Sequence, residues 1–147
     1  MYPFVSVTLF LVLLAIGLLH FYWAAGGTWA LAGAMPPAMQ QTVDQPGRRT
    51  GFRAVTVIVG LGLVLMGVFA LLFTSGELPA FVRPYRPWIA LGLAGVFAFR
   101  AVGDFREVGI FARKREDHIF FVRDRTIYSP LCLTLAVLWA ALYWLAG

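Results

Sequence analysis

Charge enters an apolar segment of the chain at one place, Phe99-Arg-Ala-Val-Gly-Asp-Phe-Arg-Glu-Val-Gly-Ile-Phe111. Arg100, Asp104 and Glu107 are spaced i, i+4 and i+7, so a helix would place all three on one face. A charged side chain at the centre of a membrane-spanning helix costs roughly 2.5–3.5 kcal/mol on insertion scales unless it is paired or hydrated. Other hydrophobic segments must therefore supply partners for this face.

The composition indicates a membrane protein. Of the 147 residues, 61% are hydrophobic and only 13% are charged. The hydrophobic residues form long uninterrupted runs, which soluble domains of this length lack. The net charge of +5 could indicate nucleic-acid binding, but the basic residues lie beside the hydrophobic runs. That placement favours a positive-inside bias and no nucleic-acid partner.

The hydrophobic runs predict an all-α membrane protein with four transmembrane helices in one antiparallel bundle. The predicted helices cover approximately residues 4–23, 54–75, 88–111 and 130–145 of a single domain. A helix of about 20 residues crosses the hydrocarbon core. The third run is apolar only to Phe99, so it reaches this length only if its helix extends to about Phe111. Ser129-Pro130 predicts the N-cap and first residue of the last helix.

Small residues predict how these helices pack. Gly60, Gly62 and Gly67 in the second run would let a neighbouring backbone approach closely, because small residues drive helix association in lipid. Ala90, Ala94 and Ala98 form a comparable stripe in the third run.

The distribution of arginines predicts the orientation. Residues 24–52 and 112–129 are predicted as cytoplasmic loops because most basic residues lie in or beside them. Only Arg83 and Arg86 lie at the other end, so both termini are placed outside the cytoplasm. No Lys or Arg precedes the first run, which favours a retained helix over a cleaved signal peptide.

This topology brings the cytoplasmic helix ends together and predicts one polar cluster. Its candidate ligand-binding residues are His20, Trp23, Arg53, Arg100, Asp104, Asp124 and Tyr128. Arg53 and Arg100 can donate to a carboxylate or phosphate, since a guanidinium binds either one in bidentate fashion. His20 beside Asp104 or Asp124 can transfer a proton.

Each of these residues also has a structural interpretation. Arg100 and Asp104 can form an ion pair at helix spacing that lowers the cost of insertion. His20 can be a hydrogen-bonded core histidine, and Trp23 and Tyr128 can be interface anchors. Asp124 can bind backbone N–H groups near the start of the last helix.

No catalytic residue, metal site or cofactor is predicted. His20 and His118 lie on different elements, Cys132 is the only cysteine, and phosphate-loop, nucleophile-elbow and paired-histidine zinc motifs are absent from the sequence.

Three motifs in order resemble a family of small bacterial four-helix integral membrane proteins catalogued as a domain of unknown function. The motifs are His20-Phe-Tyr-Trp-Ala-Ala-Gly-Gly27, Phe99-Arg-Ala-Val-Gly-Asp-Phe105, and Asp124 with Tyr128-Ser-Pro-Leu131. The resemblance implies a multi-pass protein of the bacterial inner membrane and implies no reaction.

Three functions are compatible with these residues. The first is binding of an amphipathic or anionic small molecule at the polar cluster near the cytoplasmic membrane face. The second is an accessory or assembly role, with a structural Arg–Asp pair and a protein partner or homo-oligomer. The third is an enzyme that uses His20 with Asp104 or Asp124 as acid and base. Membrane lipids are expected partners in every case.

Overall fold

The computed structural model describes residues 2–43, 45, 47–103, 105–112 and 118–146. The fold is all-helical, as predicted, and the described residues contain no strand. In chain order the helices are α1 (Tyr2–Ala24), α2 (Leu31–Ala34), α3 (Pro37–Val43), α4 (Arg48–Ser75), a 3₁₀ turn (Arg83–Tyr85), α5 (Arg86–Val102), α6 (Ile119–Arg123), a π turn (Asp124–Tyr128) and α7 (Ser129–Ala146).

Within the described ranges, three helical segments are long and apolar enough to cross a membrane: Pro3–Ala24, Arg48–Ser75 and Ile119–Leu145. The third is one continuous helix made of α6, the π turn and α7. α5 has 17 residues, which at 1.5 Å per residue gives a length of about 26 Å. This is slightly below the ~30 Å of a hydrocarbon core.

α1 and α4 form an antiparallel pair through close backbone contacts. Ser6 Oγ lies 3.0 Å from Thr74 Oγ1 near one end of the pair. Further along, a Cβ added at Gly17 would lie 3.1 Å from the Gly60 carbonyl oxygen, and one added at Gly67 would lie 3.3 Å from Cα of Phe10. The prediction that glycines of α4 permit close approach therefore applies to Gly60 and Gly67.

Gly62 does not take part in this contact. No atom lies within 4 Å of a Cβ built at Gly62, so its predicted packing role is wrong. Gly62 lies on a different face of α4. It is five positions from Gly67, whereas neighbours on one face of a helix are three or four positions apart.

α5 and α7 form the second antiparallel pair. The rings of Trp88 and Tyr143 lie 6.2 Å apart near one end, and Arg100 binds Asp124 at the other. The small residues Ala90 and Ala94 of α5 are buried in the core. The fully buried Trp139 of α7 stacks on Phe69 of α4 at a centroid distance of 6.1 Å, which joins the two pairs.

The helix predicted to continue to Phe111 ends at Val102. Gly103 follows with φ 81° and donates its N–H to the Phe99 carbonyl. The chain then folds back, so that Ile110 N–H donates to the carbonyl of Ala101 at 2.9 Å. Gly103 and Gly109, which also has positive φ, lie against each other with no room for a Cβ on either. Two glycines therefore permit a turn that the apolar pattern did not indicate.

This turn separates the charges that were predicted to share a helical face. Arg100 lies in the last turn of α5, whereas Glu107 lies in the returning loop. Asp104 and residues 113–117 lie outside the described residues. The predicted ion pair between Arg100 and Asp104 is thus outside what the structure describes.

Ser129 is not the N-cap that the sequence predicted. Its backbone is helical, with φ −69° and ψ −43°, and its N–H donates to the Asp124 carbonyl across a π turn. Pro130 explains the wider turn, because it lacks an N–H and its ring would collide with the carbonyl four residues earlier in a regular α-helix. The helix therefore begins at Ile119 and not at Pro130.

Candidate functional site

The Asp124 carboxylate is buried and binds three hydrogen-bond donors. Arg100 Nη2 lies 2.7 Å from Oδ1. The Gly109 N–H donates to Oδ2 at 2.6 Å, and Ser129 Oγ donates to the same oxygen at 3.3 Å. We call these four residues the latch.

The latch joins three segments that are distant in sequence. Arg100 belongs to α5, Gly109 to the returning loop, and Asp124 and Ser129 to the π turn and α7. Asp124 begins the π turn and contacts the returning loop through Gly109, and only 2% of its side chain is exposed. A carboxylate this buried is stable as an ion only when charge and hydrogen bonds compensate its lost hydration.

The latch thus has the features of a structural ion pair. Its carboxylate already accepts hydrogen bonds from Arg100, Gly109 and Ser129, so it is poorly placed to bind a further ligand. One atom of the pair, Arg100 Nη1, is buried without an acceptor among the residues that the structure describes.

A separate cleft lies between the end of α1 and the start of α4. It has a volume of about 170 Å³ and is lined by Trp23, Gly26, Thr28, Val43, Arg49, Phe52 and Arg53. We call this set the cleft.

α1 forms one wall of the cleft. Trp23 is buried, and its Nε1 donates to the Trp29 carbonyl at 2.9 Å, which fixes the indole and the following turn. Gly26 has φ 105°, and a Cβ added there would lie 3.4 Å from Arg53 Nη2. The guanidinium of Arg53 therefore reaches across from α4 to the end of α1.

The cleft is lined by two positively charged side chains, Arg49 and Arg53. Within the described ranges, neither Arg49 nor Arg53 has a carboxylate partner. α4 begins after Gly47 without a side-chain cap and has no acidic residue in its first turn. Its N-terminal dipole adds to the positive potential, because the helix end carries about half a positive charge.

The structure divides the predicted cluster into these two sites. Trp23 and Arg53 line the cleft, whereas Arg100 and Asp124 form the latch. Tyr128 lies half-buried in the π turn.

His20 lies beside the cleft, on α1. Its ring is 5.1 Å from that of Trp23, and its Nδ1 lies 2.8 Å from the Ile16 carbonyl. It is a hydrogen-bonded, half-buried histidine, which is the structural interpretation of this residue.

Sequence reasoning did not identify three contributing residues. Arg49 is four residues before Arg53, so helix periodicity could have placed both on one face. Gly109 contributes a backbone N–H, which leaves no signature in a sequence. Ser129 contributes a hydroxyl to the latch. Because Pro130 follows it, the sequence indicated a helix N-cap at Ser129 instead.

The described residues contain no group of three His, Cys, Asp or Glu side chains that could hold a metal ion. The two sites offer charge and hydrogen bonding: a closed ion pair in the latch, and open guanidinium donors in the cleft.

The fold and these two sites define an all-helical protein with helices of membrane-spanning length and an open cationic cleft between α1 and α4. The chain belongs to the family described as Protein of unknown function (DUF3995), whose model matches residues 13–139. This confirms the resemblance seen in the sequence to a family of unknown function, and the matched region contains both the latch and the cleft. Comparisons with curated proteins and with solved structures gave no match.

Proposed function

We propose that this protein spans the bacterial inner membrane four times and binds the anionic head of an amphipathic small molecule in the cleft. Arg49 and Arg53 are the head-group donors, and Trp23 and Phe52 form apolar walls. The supporting observation is a pair of guanidinium groups beside a cavity between two apolar helices, with no carboxylate partner among the residues that the structure describes.

α5 supplies the fourth span in this proposal. It packs antiparallel to α7, and its length of about 26 Å is within reach of a bilayer that thins slightly or of flanking side chains that extend to the interface. Leu91 and Val96 on its surface are exposed, as expected for side chains that contact lipid.

The charge distribution supports a cytoplasmic cleft. Arg48, Arg49 and Arg53 lie at the start of α4, and Arg100 lies at the end of α5. At the opposite helix ends, Arg83 and Arg86 are the basic residues. By the positive-inside rule the cleft faces the cytoplasm and both termini lie on the other side.

The donors differ from those that the sequence suggested. Arg53 and Arg100 were the predicted pair, but Arg100 is bound to Asp124. Arg49 takes its place, because it lines the same cleft as Arg53 one helical turn away.

The test is mass spectrometry of lipids and small molecules that remain bound after purification in detergent. We expect an anionic amphiphile in the wild type and a roughly tenfold loss in Arg53→Gln, because a hydrogen bond to a charged group is worth about 1.5–3 kcal/mol. Arg48→Gln is the matched control: it makes the same charge change on the same helix, at an exposed residue outside the cleft. Equal retention in wild type and Arg53→Gln would contradict the proposal.

An accessory role is the second candidate, and the latch favours it over catalysis. An accessory protein needs the Arg–Asp pair only for its fold, and the latch provides such a pair. Catalysis by His20 with Asp124 has less support, because Asp124 accepts three hydrogen bonds and lies in the latch, while His20 lies beside the cleft. Co-purification of a stoichiometric protein partner, without any bound amphiphile, would favour the accessory role.

A further inference from the structure

We infer that the ligand of the cleft is a lipid whose head is a phosphate monoester. This inference rests on the proposed function and specifies the class of amphiphile. Three features support the inference: the charge of the cleft, the size of the cleft, and the apolar surface that continues from the cleft.

The charge of the cleft matches a phosphate monoester. Two guanidiniums supply two positive charges and up to ten N–H donors, since each has five. A phosphate monoester carries about −1.5 to −2 charges at neutral pH and three terminal acceptor oxygens. A carboxylate or a phosphodiester carries one charge and two such oxygens, so it would leave one guanidinium uncompensated.

The segment of sequence that contributes the start of α4 has more basic than acidic residues. Residues 24–76 contain three arginines, Arg48, Arg49 and Arg53, and one acidic residue, Asp44, which lies outside the described residues. Arg49 and Arg53 line the cleft, and Arg48 lies beside it in sequence.

The size of the cleft restricts the head group. Its volume of about 170 Å³ corresponds to about six water molecules at 30 Å³ each. Pockets for drug-sized ligands have volumes of ≈ 300–1,000 Å³. A phosphate group therefore fits within the cleft, and any larger part of a head group would extend out of its open side.

An apolar path for the lipid tail begins at the cleft. Phe52 lines the cleft, and Val55 and Val59 follow on the same face of α4 at i+3 and i+7. Both valines are exposed, at 61% and 42%. An acyl chain along this face would stay in the hydrocarbon while the head group binds Arg49 and Arg53, which favours a lipid over free phosphate.

The experiment uses the full-length protein in phosphatidylcholine nanodiscs with one added lipid at equal mole fraction: phosphatidic acid, phosphatidylglycerol or oleic acid. Native mass spectrometry counts the lipids retained. We expect roughly tenfold more phosphatidic acid to be retained than either of the other lipids, because one additional hydrogen bond to a charged group changes the affinity by about this factor. Arg49→Gln and Arg53→Gln should abolish the preference, and Arg48→Gln should keep it. Arg53→Lys keeps the charge but lacks the bidentate geometry, so it should weaken the preference.

The outcomes separate this inference from the proposed function. Equal retention of all three anionic lipids, still dependent on Arg49 and Arg53, would overturn the monoester assignment and leave the proposed function standing. Retention that does not depend on either arginine would overturn the proposed function itself. Displacement of phosphatidic acid by an equimolar amount of inorganic phosphate would overturn the assignment to a lipid.

Discussion

The latch and the cleft both contain arginines at the same end of the helices, but only the latch supplies a carboxylate. Arg100 binds a carboxylate that is 2% exposed and is also bound by Gly109 and Ser129. Arg49 and Arg53 line an open cleft with no such partner in the described part of the chain. An arginine paired with a buried carboxylate contributes to the fold, whereas an unpaired arginine beside a cavity is available to a ligand. Each of the following predictions tests this difference.

The largest loss of stability is expected from Asp124→Ala. It leaves the part-buried Arg100 guanidinium without its charge partner and the Gly109 N–H without its acceptor. We expect the free energy of unfolding to fall by about 2–4 kcal/mol, somewhat less than for a fully buried pair because Arg100 is partly exposed. Equilibrium unfolding of the detergent-solubilised protein measures this loss. A change below about 0.5 kcal/mol, the range of ordinary surface substitutions, would contradict the structural role of the latch.

A double-mutant cycle tests whether Arg100 and Asp124 act as a pair. Arg100→Ala alone removes the cation from a buried carboxylate, and the double change with Asp124→Ala removes both charges. We expect the double variant to be less destabilised than the sum of the single variants, with a coupling of about 1–3 kcal/mol. Additive losses in the same unfolding measurement would show that the two charges do not interact.

Gly109→Ala tests the turn that brings the loop to Asp124. Gly109 has φ 99°, and an added Cβ would collide with the backbone of Val102 and Gly103. We expect a loss of about 1–3 kcal/mol. Gly95→Ala is the control: Gly95 lies in α5 with nothing within 4 Å of an added Cβ, and the change should stabilise the helix by about 0.5–1 kcal/mol. Thermal unfolding measures the change in stability of both variants. An equal change in the two variants would argue against the turn.

A smaller loss is expected at the contact between α1 and α4. Gly17→Ala places a Cβ 2.8 Å from Val64 Cγ2 and 3.1 Å from the Gly60 carbonyl, so the helices must separate slightly. We expect a loss of about 1–2 kcal/mol from overpacking. Gly62→Ala, on the open face of α4, should instead stabilise the helix by about 0.5–1 kcal/mol, like Gly95→Ala. The prediction fails if the two alanines have the same effect on unfolding.

The smallest effect on stability is expected in the cleft. Arg49 and Arg53 are exposed and unpaired within the described residues, so Arg53→Gln should change the free energy of unfolding by less than about 0.5 kcal/mol. The same substitution should nevertheless remove most of the bound amphiphile. A large loss of stability would mean that Arg53, like Arg100, has a structural role.

The sequence predicted the long helices well because their signal is local. Uninterrupted apolar runs of about 20 residues have few other interpretations, and the runs at residues 4–23, 54–75 and 130–145 all fall in helices. The same local reasoning extended α5 past its end, since Phe105, Ile110 and Phe111 continue the apolar pattern through the turn at Gly103. A glycine inside an apolar run does not reveal whether the helix continues or turns.

The sites were harder to predict because they depend on tertiary contacts. Helix periodicity indicated Asp104 as the neighbour of Arg100, but the structure places Asp124, 24 residues away, beside it. Convergence of helix ends placed Trp23 and Arg53 at the same depth, since it needs only the order of the helices, and both residues line the cleft. It could not show that these two belong to one site and that Arg100 and Asp124 belong to another.

The most direct test compares melting temperatures with and without phosphatidic acid for three proteins: wild type, Asp124→Ala and Arg53→Gln. A ligand that binds only the folded protein raises its melting temperature. We predict that the lipid stabilises wild type, that Asp124→Ala melts lower but is still stabilised, and that Arg53→Gln melts like wild type but is not stabilised. If Arg53→Gln kept the lipid shift while Asp124→Ala lost it, the assignment of the latch to the fold and of the cleft to the ligand would be wrong.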